Sequence, residues 1–180
     1  MRGAVRRSRR ARALALVLAV LGGAAQAAED SYRLGTGDQI RIEIYGEEVL
    51  ADSLIGDSGA LTLPYVGDVA VSGSTAGEVR AQLTELLVPD YFVDPDIIVS
   101  VEKYRSFFVY GEVRSPGSYA FEPGLTVGKA IALAGGLTDR ASTRRIFVVR
   151  DGAEEGSEIR AEESTSIGPG DVITIRQSFF

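Results

Sequence analysis

Two distant segments of this chain share one short pattern, and that pattern constrains how its strands begin. Residues 35–42 read G-T-G-D-Q-I-R-I and residues 168–175 read G-P-G-D-V-I-T-I, so both match G-x-G-D-x-I-x-I. The glycines allow a tight turn, and the aspartate can accept hydrogen bonds from the turn backbone. The alternating isoleucines are typical of a half-buried strand. The repeat therefore predicts two strands that each start at a glycine turn, with a positive φ in at least one glycine of each pair.

The rest of the chain is predicted as short strands interrupted by two short helices. The strands are predicted at 61–63, 67–71, 97–101, 107–113, 118–121, 146–150 and 172–176, each bounded by turn residues. The Ser115-Pro116-Gly117 turn predicts that 107–113 and 118–121 form a hairpin. The acidic segment 151–166 is predicted to be weakly ordered.

Both helices are predicted from their capping residues. Thr75 and Glu78 match a capping box, in which the hydroxyl caps a backbone N–H and the carboxylate reaches back. The residues expected on the buried face of this helix recur at helical spacing and are Val79, Leu83, Leu86 and Leu87. A second helix is predicted at 127–134, after Thr126 and before two glycines.

The first 27 residues have the three parts of a secretory signal peptide. They hold six arginines and no acid, and the apolar run 13–21 follows the arginines. The segment then ends in Ala25-Gln26-Ala27, which predicts cleavage after Ala27. The alternative, a membrane anchor, is disfavoured because a spanning helix needs about 20 apolar residues. The mature protein is therefore expected outside the cytoplasm.

The composition excludes several classes of function. Without the six N-terminal arginines, 13 basic and 25 acidic residues remain, so the expected mature chain carries a formal net charge of −12. This argues against nucleic acid as a partner, since phosphate binding needs clustered cations. The chain contains neither cysteine nor histidine, which removes disulfides, thiolate metal sites and the commonest general base. No catalytic residue, cofactor or metal site is predicted.

Ordered motifs along the chain resemble bacterial polysaccharide export proteins, the outer-membrane auxiliary family of capsule and exopolysaccharide secretion. The matching segments are 32–38, 57–64, 66–67, 71–75, 91–101, 109–113, 116–119, 125–127, 130–131, 134–138 and 146–150. Within them, the structural motif positions are Gly35, Gly37, Asp38, Asp57, Gly59, Pro64, Gly67, Gly111, Pro116, Gly117, Gly135 and Gly136. The resemblance implies an α+β fold in two small modules. After a signal peptide at 1–27, these are a polysaccharide export domain at 32–104 and a soluble-ligand-binding β-grasp (SLBB) domain at 105–177.

The resemblance also implies a function and its partners. It implies a periplasmic component of a capsule or exopolysaccharide export machine, held at the outer membrane through partners, that assists polysaccharide translocation and is not an enzyme. Implied partners are the polysaccharide chain, an inner-membrane polysaccharide co-polymerase and, for short members, a separate outer-membrane β-barrel. A homo-oligomeric ring is expected, because head-to-tail contacts close when the rotation allows it. The lipidated cysteine and the C-terminal amphipathic helix of better-known members are missing here, so the short, two-module members are the nearer match.

Tyrosines and a few arginines are the candidate contacts for glycan or for a partner. A tyrosine offers an apolar face to a sugar ring and a hydroxyl to its polar edge, and arginine can bind a uronic acid. The candidates are Tyr65, Tyr91, Tyr104, Tyr110, Arg114, Arg144 and Arg145. The alternative for each tyrosine is a purely structural role in a strand, and for each arginine a solvated surface.

Two other classes of function stay open at this point. One is a soluble periplasmic module that binds a glycan or peptide without being a conduit. The other is a polysaccharide-cleaving enzyme, which would need two carboxylates facing each other across a cleft. The loop acids Asp90, Asp94 and Asp96 could offer oxygen ligands to Ca²⁺, but they lack the spacing and the glycine of an EF-hand.

Overall fold

The computed structural model describes residues 32–45, 49–88, 90–154 and 156–178. The predicted signal peptide at 1–27 lies outside the described residues. Two separate hydrophobic cores form, one from residues between Leu34 and Ile97 and the other from residues between Phe107 and Ile175. The chain therefore has the expected α+β architecture in two modules. No helix in the described ranges is both long and apolar enough to cross a membrane.

The first module is a three-stranded antiparallel sheet with a hairpin and one helix. Its elements are β1 (Gln39–Ile44), β2 (Val49–Leu54), β3 (Ala60–Leu63), β4 (Gly67–Ala70), α1 (Ala76–Leu87) and β5 (Ile97–Lys103). The sheet order is β2-β1-β5, and β3 pairs with β4 as a separate hairpin. The first G-x-G-D motif therefore starts the central strand of this sheet.

Alternation and capping explain the core of the first module. Ile40, Ile42 and Ile44 are buried on one face of β1, as the period of two predicts. Helix α1 begins at the predicted capping box, with both the Thr75 and the Glu78 hydrogen bonds present. Its buried residues are Val79, Leu83 and Leu87. The expectation for Leu86 is wrong, since it is 43% exposed. Position 86 lies at the edge of the stripe, one residue before Leu87 and about 100° around the helix.

The second module is a mixed five-stranded sheet with one short helix. Its elements are β6 (Phe107–Gly111), β7 (Gly117–Tyr119), α2 (Val127–Leu133), β8 (Ala141–Val149), β9 (Ile159–Ala161) and β10 (Val172–Gln177). The sheet order is β7-β6-β10-β8-β9. Strand β10 runs parallel to β6 and antiparallel to β8, and β6 and β7 form the predicted hairpin. The second G-x-G-D motif thus also starts a central strand.

Two parts of the sequence prediction need correction. The acidic segment 151–166 is not wholly irregular, because β9 lies within it, pairs with β8 and buries Ala161 in the second core. This three-residue strand is too short to show a periodicity. Strand β2 has no counterpart in the prediction, since its sequence V-L-A-D-S-L lacks alternation and β-branched residues beyond Val49.

The glycine turns adopt the predicted conformation. Gly37 has φ +92° and Gly170 has φ +81°, so one glycine of each pair lies in the left-handed region. A Cβ atom at Gly170 would lie 2.5 Å from Cγ of Asp151, whereas one at Gly168 would make only ordinary contacts, at 3.8 Å or more. In the second copy of the motif, Gly170 is therefore required both by conformation and by space.

A pair of alanine substitutions tests this requirement. Gly170→Ala is expected to lower the free energy of unfolding by about 1–3 kcal/mol, because the new side chain is strained at positive φ and collides with Asp151. Gly168→Ala is the matched control and is expected to stay within about 0.5 kcal/mol of the parent. Urea unfolding of the mature chain measures both, and equal effects would contradict the turn geometry.

Candidate functional site

The two motif aspartates are buried and accept the same three kinds of hydrogen bond. Oδ2 of Asp38 accepts from the N–H of Gly35 (2.9 Å), and Oδ1 accepts from the N–H of Arg105 (2.7 Å). Oδ2 of Asp171 accepts from the N–H of Gly168 (2.7 Å), and Oδ1 accepts from the N–H of Asp151 (3.1 Å). Each carboxylate thus ties its own turn to the chain just beyond a neighbouring antiparallel strand, β5 for Asp38 and β8 for Asp171.

An arginine supplies the third bond to each aspartate. Nη1 of Arg150 lies 2.6 Å from Asp171, and Nη1 of Arg105 lies 2.8 Å from Asp38. Arg105 also reaches the second module, where its Nη2 and Nε donate to Oδ2 of Asp151 at 2.8 and 3.1 Å. We call Asp38, Arg105, Asp151 and Asp171 the junction network. It connects the two motif turns, and with them the two modules.

Aromatic side chains surround the junction network. The Tyr32 hydroxyl donates to Asp38 and accepts from Arg105, each at 2.6 Å. Burial and the hydrogen bond to Asp38 raise the pKa of Tyr32 far above its usual value. Tyr104 contacts the Tyr32 ring on one side and the Phe121 ring on the other, with centroids 5.0 and 5.5 Å away. Tyr104, a candidate glycan contact, therefore lies within the packing between the modules.

Two other candidates come together on the surface of the first module. The Tyr65 and Tyr91 ring centroids lie 5.2 Å apart, and Phe92 meets Tyr65 edge-on at 6.1 Å. We call these three residues the aromatic tip. Tyr65 is 61% exposed and Tyr91 is 49% exposed, so the tip presents ring faces to solvent next to the acidic loop 90–96. Phe92 was not among the candidates, although it directly follows one of them.

The backbone that displays Tyr65 is strained. Tyr65 has φ +71°, and the N–H of Val66 donates to the carbonyl of Pro64 at 2.9 Å. This is the bond of a γ-turn, whose positive-φ form is rare and costly. Among the described residues, the only other non-glycine with positive φ is Asp94, in the loop beside the tip. The backbone is strained at a residue whose large aromatic ring is exposed, and such strain is typical of a functional surface.

The remaining candidates lie in the second module, away from the aromatic tip. Tyr110 on β6 is 47% exposed, and its ring is parallel to that of Phe108. Arg144 and Arg145 lie on β8, where Nη1 of Arg145 donates to the carbonyl of Gln177 at 2.8 Å. Arg114 is exposed in the turn that packs near Gly135. The acids Asp90, Asp94 and Asp96 do not come together as a metal-binding cluster within the described part of the chain.

The structure defines a class of protein with two α+β modules, paired glycine-aspartate turns and an exposed aromatic tip. Comparison with known families makes the class specific. Residues 26–102 match the family described as polysaccharide biosynthesis/export protein, and residues 106–161 match the SLBB domain. The chain belongs to the bacterial polysaccharide export proteins, as its motifs suggested.

Individual relatives agree with this assignment. The chain is 36% identical over 138 residues to the exopolysaccharide production protein ExoF of Rhizobium meliloti, covering 69% of this chain and 33% of that protein. It is 26% identical to the EPS I polysaccharide export outer membrane protein EpsA of Ralstonia nicotianae, covering 81% and 47%. It is 35% identical over 82 residues to the polysialic acid transport protein KpsD of Escherichia coli, covering 46% and 14%. The chain thus spans less than half the length of these relatives.

Removing the Arg105 side-chain charge should destabilise the fold. Arg105→Met leaves the Asp38 carboxylate buried without its cation, so we expect the free energy of unfolding to fall by about 3 kcal/mol. Adding Asp38→Asn removes the buried charge and should recover part of this loss. Arg41→Met, in an exposed group of ion pairs, is the matched control and should change stability little. A loss for Arg105→Met no larger than for this control would contradict the role of the junction network.

The strain at Tyr65 is tested by comparing glycine with alanine. Both variants lose the ring contacts, but glycine adopts positive φ freely and alanine does not. Tyr65→Gly is therefore expected to be more stable than Tyr65→Ala by about 1 kcal/mol. At Tyr91, which has no positive φ, alanine should be at least as stable as glycine. Thermal melts of the four variants decide the question, and alanine above glycine at position 65 would exclude the strained turn.

Proposed function

We propose that this chain is a periplasmic component of a capsule or exopolysaccharide export machine and assists the passage of polysaccharide across the cell envelope. The observation that carries the proposal is the order of its two domains, a polysaccharide export domain followed by an SLBB domain. Relatives in three bacteria are named for exopolysaccharide production, polysaccharide export and polysialic acid transport. A cleaved signal peptide at 1–27 delivers the chain to the periplasm, and partners hold it at the outer membrane.

In this function the aromatic tip contacts the moving glycan. Tyr65 and Tyr91 present apolar ring faces on which a pyranose can stack, and their hydroxyls can bond to its edge. The neighbouring carboxylates of Asp90, Asp94 and Asp96 accept hydrogen bonds from sugar hydroxyls. A few exposed contacts of this kind bind weakly, which suits a polymer that must slide onward.

The proposed role is transport without chemistry. The protein makes and breaks no bond in the glycan, and it needs no cofactor or metal. Copies of the chain assemble head to tail into a ring around a polar passage. The ring works with an inner-membrane polysaccharide co-polymerase and a separate outer-membrane β-barrel.

A deletion and complementation experiment tests the function. Deleting the gene that encodes this chain should abolish surface or secreted polysaccharide and leave sugar-nucleotide and lipid-linked precursors intact. The wild-type gene should restore secretion. A strain that still secretes normal amounts of every glycan would favour a binding module that is not a conduit, and a purified protein that shortens polysaccharide chains would favour an enzyme.

The same strain tests the aromatic tip. The double variant Tyr65→Gly/Tyr91→Ala should lower secretion several-fold while the protein accumulates normally, as judged by immunoblot. Tyr45→Ala removes another exposed tyrosine of the first module, outside the tip, and should restore secretion fully. Full secretion by the double variant would contradict a role for the aromatic tip, but it would not contradict the export function.

A further inference from the structure

The solvent-facing side of the second-module sheet carries aromatic rings and arginines together. The inner face packs on α2 through the second core, so β-strand alternation sends the intervening residues outward. We call this outward side the open face, and its rings and cations are Phe108, Tyr110, Phe147, Arg145, Arg160 and Arg176. Of these residues, only Tyr110 and Arg145 are candidates from the sequence. The others could not be predicted, because strand register decides which residues lie on this face.

Three aromatic rings and a hydroxyl lie near one another on the open face, and we call Phe108, Tyr110, Phe147 and Thr174 the platform. Phe108 and Tyr110 are two residues apart on β6, with centroids 6.3 Å apart and planes only 2° from parallel. Across the sheet, Tyr110 pairs with Thr174, and Thr174 pairs with Phe147. The platform therefore spans three strands, with a hydroxyl between its rings. Flat apolar faces edged by hydroxyls are suited to stacking against sugar rings.

The cations lie beside this platform. The Arg176 guanidinium lies over the Phe147 ring, 4.4 Å from its centroid, and pairs with Glu158 at 2.5 Å. Arg160 is the cross-strand neighbour of Phe147 on β9, and within the described ranges its side chain has no ion-pair partner. Residues 28–180 carry a net charge of −12, so cations beside rings make the open face an electrostatic exception.

The first-module sheet provides an internal comparison. Its solvent-facing side centres on Arg41, whose guanidinium is 2.8 Å from Asp52, 3.3 Å from Glu102 and 3.9 Å from Glu43. That arginine is already neutralised by its neighbours, and no aromatic ring of β1 or β5 accompanies it. The two sheets therefore differ in what their outer faces can bind.

We infer that the open face binds carboxylate-bearing sugar residues of a polysaccharide. One sugar ring of the polysaccharide stacks on Phe108 and Tyr110. The carboxylate of a further sugar residue, bound across β10 and β8, pairs with Arg160 on β9. Charge complementarity favours this occupant, because guanidinium groups bind carboxylates and neutral sugars leave them unpaired. The inference rests on the proposed export function, and it narrows the cargo to anionic glycans.

Binding of a defined acidic oligosaccharide tests the inference on the full mature chain. Oligogalacturonate should bind measurably by calorimetry at low salt, and a neutral dextran of equal length should bind at least about five-fold more weakly. Raising the salt should weaken binding of the acidic probe, because exposed charges are screened. Tyr110→Ala should weaken both probes, whereas Arg160→Gln should weaken only oligogalacturonate. Arg80→Gln, an exposed arginine on α1, is the matched control and should bind like the parent.

Each other outcome overturns the inference. Equal affinity for dextran and oligogalacturonate would show that the protein does not recognise the carboxylate of the sugar. An unchanged affinity of Arg160→Gln and Tyr110→Ala would place binding elsewhere. No glycan binding, together with a loss of self-association in these variants by sedimentation, would make the open face an interface between copies. If binding fails while gene deletion still abolishes secretion, the export function stands and only this inference falls.

Discussion

The architecture depends on the hydrogen bonds of two buried carboxylates and on the arginine that connects their turns. Asp38 and Asp171 each fix a glycine turn to the end of an adjacent strand, and a buried carboxylate is tolerated only when it is fully bonded and paired. Arg105 neutralises the first and also holds Asp151, whose own N–H bonds the second. The same charged groups therefore fix the turn within each module and hold the two modules together.

Much of this fold could be predicted from local patterns, because the patterns have local causes. The repeated motif predicts two strand starts and their positive-φ glycines, and the Thr75 capping box predicts where α1 begins. The junction network could be predicted only in part. Both aspartates stand in the motif, but no pattern marks Arg105, since its role depends on contacts 46 and 67 residues away. Strands β2 and β9 were missed because they are stabilised by pairing with neighbours and have little preference of their own.

The candidate residues separate into three environments that the sequence cannot distinguish. Tyr65 and Tyr91 lie on a strained, exposed tip, Tyr104 lies inside the junction between modules, and Tyr110 lies on the open face. The sequence alone does not distinguish these tyrosines, although their different burial gives them different chemistry. In the proposed export function, the overall negative charge and the local arginines of the open face are compatible. There, general repulsion would limit non-specific adhesion of an anionic polymer, while the small basic face would retain a weak, specific contact.

The position of β10 has a consequence for the order in which the second module can form. It lies at the centre of the sheet, between β6 and β8, although it follows the other strands of the module in the sequence. Until it arrives, β6 and β8 lack the strand that pairs with both of them, and the second core lacks Ile173 and Ile175. A chain that becomes available to fold from its N-terminus would therefore leave the sheet of this module incomplete until β10 is available.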